Sequence, residues 1–143
     1  MTRPAVLVTA LLCCTTLLHS RPVVATAAFP PGKVITFQVH PDGLIVAGRD
    51  TLNTDNLADY LKERLWKGYL GTGKMVDSIG IVMQGEVLMG VRGAVLDAIR
   101  LGQENALKEL CLQQYKSYFE NLSAARQQKI RKKFPVLFQQ LHW

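Results

Sequence analysis

From Val34 to Ala47 the chain reads VITFQVHPDGLIVA, and this stretch limits the possible folds more than any other. Ile35, Phe37 and Val39 alternate with Thr36, Gln38 and His40, so one face is apolar and the other polar. A period of two in β-branched and aromatic residues specifies a half-buried strand. Pro41-Asp42-Gly43 interrupts it with turn chemistry: proline presets φ, aspartate caps its own turn, and glycine accepts positive φ. Leu44 to Ala47 then returns as a second strand, and Gly48-Arg49-Asp50 turns again. A hairpin alone cannot bury its apolar face, so something must cover that face.

The cover comes next in the chain. Asn53 or Thr54 is placed to cap a helix, with Asp55 near its positive end. Leu57, Tyr60, Leu61, Arg64 and Leu65 recur at helical spacing, and all but Arg64 suit a core face. Gly68 and the run GYLGTGK are expected to end this helix. Ile79 to Met83, IGIVM, fits a central strand. Leu88 to Leu101 fits a second helix with Val91, Val95, Ala98 and Ile99 as its stripe and Gly102 as its C-cap. Asn105 to Gln113 has two readings, a last strand carrying Leu110 and Leu112 or more helix, and the strand is preferred. Ser123 can cap a final helix, AARQQKIRKKF, and Pro135 breaks the chain beyond it, leaving Val136, Leu137, Leu141 and Trp143 for packing. The predicted order is β-β-α-β-α-(β) plus a helical tail. The fold class is α+β, a two-layer sandwich of a small mixed sheet with helices on one face.

Residues 1–28 have a different character. Arg3 makes a short positive region, Ala5 to Leu18 is uncharged and largely apolar, and Ala25-Thr26-Ala27 or Thr26-Ala27-Ala28 supplies small residues for cleavage. This is the pattern of a secretory signal peptide. The rival is an N-terminal anchor through residues 4–20, a segment at or below the roughly 17–25 apolar residues that span a bilayer. Either way the expected address is the periplasm, free or tethered to the inner membrane. Residues 29–33 are a linker, 34–114 the folded domain and 115–143 a basic helical tail. Cys13 and Cys14 would leave with a cleaved signal, and Cys111 then stands alone, either a small buried hydrophobe, which is preferred, or a thiol for an intermolecular bridge.

Charge is unevenly distributed. The formal net charge is +6, yet Phe29 to Glu120 holds ten basic and eleven acidic residues. The excess lies in Arg126, Lys129, Arg131, Lys132 and Lys133, with no acid from Asn121 onward. These five are the candidate contacts for anions such as peptidoglycan carboxylates or anionic lipid. Export argues against nucleic acid.

Catalytic readings are weak. GYLGTGK matches the G-x-x-x-x-G-K phosphate pattern but follows a helix and has Met75 where Ser or Thr should hold magnesium. His19, His40 and His142 are too scattered for zinc. Nothing beside Cys111 suggests an activated nucleophile. The expectation is a protein that is not an enzyme and needs no cofactor.

As a set, the hairpin ITFQVHPDGLIVAGRDTL, the capped helix NTDNLADYLKERL and the block SIGIVMQGEVLMGVRGAVLDAIRLG resemble the periplasmic domain of the ExbD/TolR family. The resemblance covers Val34 to about Gln113. It implies an accessory role in energised envelope transport. The implied partners are channel proteins of the ExbB/TolQ type and envelope-spanning proteins of the TonB/TolA type, with a homodimer and peptidoglycan contact also implied. Family members carry a proton-handling aspartate in their membrane helix. Here the first acid is Asp42, in the hairpin turn, so the chain is expected to carry no protons. The family aspartate after the third strand is also missing, Gln84-Gly85-Glu86 standing there, and the tail from Tyr115 has no counterpart.

Overall fold

The computed structural model of the chain describes residues 34–142. The signal or anchor of residues 1–28, the linker of residues 29–33 and the packing expected of Trp143 therefore lie outside the described residues.

The sheet begins as expected. β1 (Val34–Val39) and β2 (Ile45–Ala47) pair antiparallel, Gln38 opposite Val46 and Val39 opposite Ile45. Their turn closes as its residues require. Gly43 takes φ 86°, and Asp42 Oδ1 accepts the Leu44 N–H at 3.1 Å. A third strand, β3 (Asp50–Leu52), corrects the expected turn at Gly48-Arg49-Asp50. Only Gly48 and Arg49 form the loop, and Asp50 already pairs with Ala47. Gly48, at φ 67°, leads this two-residue loop, the place where tight hairpins favour glycine. The strand was illegible because Asp50-Thr51-Leu52 is too short to show a period.

α1 (Thr54–Thr72) is capped by Asn53, whose Oδ1 accepts the Asn56 N–H at 3.0 Å. It passes through Gly68 and Gly71 and stops at Gly73, which takes φ 69° and donates its N–H to Tyr69 O. The expected stop at Gly68 is thus one turn early. An internal glycine costs a helix only about 1 kcal/mol. Packing of that last turn offsets the loss, with Tyr69 edge-on to Phe134 at 5.7 Å and stacked beside Trp66 at 5.3 Å.

β4 (Ser78–Met83) then pairs with β1 in parallel, from Val34 opposite Ser78 to Val39 opposite Met83. The strand order is β3-β2-β1-β4, so β4 lies at the edge and is not central. α2 (Met89–Tyr115) is 27 residues long, and this overturns two expectations. Gly102 is not a C-cap, and Asn105 to Gln113 is helix and not strand. Leu110 and Leu112 mimic strand alternation, but Ile99, Gly102, Gln103, Ala106 and Leu110 form one buried helical stripe. Gly102 marks where α1 crosses α2. A Cβ there would come within 2.8 Å of Ala58 O and 3.1 Å of Leu61.

After a 3₁₀ turn at Phe119–Asn121, α3 (Ala124–Lys133) starts at Ser123, which holds the cap position without a side-chain bond. A second 3₁₀ turn lies at Pro135–Phe138. Helices cover one sheet face. Phe37, Val39, Ile45, Leu57, Leu61, Leu65, Val95 and Ile99 are buried together there, and Ile130, Phe134 and Val136 extend the same core. The architecture is α+β, a small mixed sheet with a helical C-terminal part.

Candidate functional site: an open strand edge and a basic helix face

The outer edge of β4 is open because the expected last strand is missing. A strand after α2 would have returned beside β4, as sequential strands usually do. Helix forms instead, and β4 is left unpaired on its far side. In a parallel pair, the N–H and C=O of one residue point the same way. Gln84 N donates to Val39 O at 2.9 Å, so residues 78, 80, 82 and 84 face β1. Ile79, Ile81 and Met83 therefore present their backbone groups outward.

One of these three rungs is filled by an amide side chain. The Ile79 N–H donates to Gln139 Oε1 at 2.8 Å, and Gln139 Nε2 donates to Ile79 O at 2.9 Å. The Gln139 amide thus stands where a neighbouring strand's peptide group would stand. Gln103, buried on α2, steadies this segment by donating from Nε2 to Val136 O at 2.7 Å and to Gln139 O at 3.1 Å. Among the described residues no hydrogen bond reaches the outward groups of Ile81 or Met83. β4 carries no charge along its length, Ser-Ile-Gly-Ile-Val-Met. Natural edges are commonly blunted by shortness or charge, as β3 is, with three residues and Asp50 holding the Tyr60 hydroxyl at 2.8 Å. Beyond β4, Leu88 and Met89, where α2 begins, are 72% and 75% exposed.

Beside the Gln103 contacts a groove of about 490 Å³ runs between the tail segment and α2, its apolar walls including Leu96, Leu107, Leu137, Phe138 and Leu141.

The five tail cations do not act as one cluster. Arg131 lies 5.3 Å from the Phe119 ring centre and 4.4 Å from that of Phe138, so its guanidinium joins two turns of the tail. Arg126 lies 5.5 Å from the Tyr115 ring, and Lys133 5.1 Å from Phe134. Lys129, Lys132 and Lys133 line one open cleft of about 430 Å³ with Ala125 and Gln128. The structure thus brings three of the five predicted contacts together and turns the arginines to ring packing.

Other sequence candidates are placed without ambiguity. Gly68 to Thr72 of the phosphate-like pattern is the last turn of α1, not a loop, and its backbone is committed to helix. Cys111 is fully buried in α2, and burial, then the nearby Glu120 carboxylate, push its thiol up, away from the reactive thiolate. No helix of the described residues is long and apolar enough to cross a membrane. Gln139 and Gln103 could not be singled out in the sequence because glutamine has no positional signature, and only tertiary contact gives either a role.

No family model and no curated protein matches the chain.

Proposed function

We propose that this chain is an exported, non-enzymatic ExbD/TolR-like accessory domain of a Ton/Tol-type envelope transport system. It works by contact with channel proteins of the ExbB/TolQ type or envelope-spanning proteins of the TonB/TolA type, alone or as a homodimer. The observation that supports this reading is the uncharged β4 edge, whose Ile81 and Met83 backbone groups face outward without a partner among the described residues. Such an edge gains main-chain hydrogen bonds when another chain adds a strand. The domain moves no protons itself. Met1 to Pro41 contains no acid, and Asp42 spends its carboxylate on the Leu44 N–H in an exposed turn.

The test is photocrosslinking in the envelope from a reactive residue at position 83, with position 62 on α1 as control. Adducts to an ExbB/TolQ-like or TonB/TolA-like protein from position 83 alone are expected. Adducts equal at both positions, or none to such proteins, would overturn the proposal.

A second reading has its own observation, the cleft shared by Lys129, Lys132 and Lys133. In that reading the chain is a periplasmic binding module for cell-wall or lipid anions. Salt-sensitive retention on peptidoglycan, lost when these three lysines become alanine and kept when Arg131 does, is its expected result. Retention that ignores the lysines removes it.

A further inference from the structure

The Gln139 amide shows what chemistry the β4 edge accepts. It offers one acceptor and one donor, spaced as in a peptide unit, and Ile79 takes both. We propose that Gln139 is a detachable stand-in for one residue of a visiting strand. The edge it guards then takes an extended, uncharged peptide segment that pairs with Ile79, Ile81 and Met83 once residues 139–142 swing away. This deepens the reading of a protein-contact domain and rests on it.

Three observations make the segment removable. Residues 139–142 are half-buried or exposed, whereas Val136 and Leu137 just before them are buried and stay anchored. A groove of about 490 Å³ runs between the segment and α2, so of its side chains only the half-buried Leu141 packs against the core. Among the described residues its ties are few: the Gln139 amide pair on Ile79, one bond from Gln103 to Gln139 O, and the half-buried Leu141 against the core.

The edge also sets the partner's character. Ile81 and Met83 are half-buried on the helix-covered face, and Leu88 and Met89 are exposed just beyond. A segment alternating apolar and small polar side chains would lay its apolar row beside Ile81 and Met83. Charge on that row would be desolvated without a counter-ion, since β4 has none.

The experiment uses the purified protein and a blocked peptide of alternating threonine and valine with a lysine at each end. Binding is followed by titration and by the backbone amide shifts of Ile81 and Met83. Gln139→Ala should bind the peptide at least about tenfold more tightly than wild type, the factor worth about one net hydrogen bond. Adding Ile81→Pro should abolish binding. The Ile81 N–H points away from β1, so proline deletes the edge donor and leaves the ladder intact. A peptide N-methylated at alternate residues should not bind to any variant. Equal affinity in wild type and Gln139→Ala, binding that survives Ile81→Pro or N-methylation, or no binding to Gln139→Ala at all would each overturn the proposal. Unfolding midpoints measured alongside separate a lost site from a lost fold. Crosslinking to transport proteins can succeed while this peptide test fails, so the two proposals fall separately.

Discussion

At the scale of single residues, the side chains that decide most are those holding other parts in place. Gly102 is the clearest case, because the α1–α2 crossing leaves no room for a methyl group against Ala58 O. Gly102→Ala should therefore destabilise the protein by about 1–3 kcal/mol despite alanine's better helix propensity, as read from urea unfolding. The opposite sign would mean that the helices part easily. Tyr60 gives a pH signature. Burial, then its hydrogen bond to Asp50, raise its phenol above the ordinary 10.0. A raised folded-state pKa gives stability that is complete below the unfolded value and is lost as pH climbs through the folded one. Stability should thus decline above about pH 10, and Tyr60→Phe should flatten that decline. Cys111, also raised by burial from 9.0, adds to the same alkaline loss, so the comparison belongs in a Cys111→Ala background. An unchanged alkaline slope in Tyr60→Phe would refute the assignment.

At the scale of elements, the decisive fact is that α2 runs unbroken to Tyr115. Had Gly102 ended it, a proline at Asn105 would sit at the first residue of the expected strand, where proline is tolerated. In the continuous helix, Asn105→Pro removes a backbone donor and clashes with the preceding turn, costing about 3 kcal/mol or more. Denaturant unfolding with far-ultraviolet circular dichroism checks this, and a shift below about 1 kcal/mol would contradict the helix. Elements with a strong local period were legible in the sequence. Ile35, Phe37 and Val39 announced β1, and Leu57, Leu61 and Leu65 announced the core face of α1, all now buried. The end of α2 was not legible, because Leu110 and Leu112, two positions apart, imitate strand alternation and only contact with α1 and the tail selects helix. β3 was hidden for a related reason: its three residues pair with β2 through backbone groups that every residue carries.

At the scale of the molecule, the C-terminal third belongs to the same core as the hairpin. Ile130, Phe134, Val136 and Leu137 are buried against it. A chain cut after Leu122 should lose cooperative unfolding. Each such buried side chain is worth roughly 2–5 kcal/mol, against a total stability of only about 5–15 kcal/mol. Calorimetry decides it: a sharp, reversible transition in the truncated chain would show that residues 34–122 fold alone. Of the candidate site, the sequence carried the basic residues. It did not carry which edge stays open, nor that Arg131 is spent on Phe119 and Phe138. The determinations made by the sequence itself were local: the hairpin, the capped helix, the class of fold and the uneven charge. These arise from interactions between residues a few positions apart. The tertiary structure alone decided the fate of the last strand, the exposure of β4 and the seat of the Gln139 amide sixty positions from Ile79. Those depend on which distant surfaces exclude water together, and no short window of sequence records that.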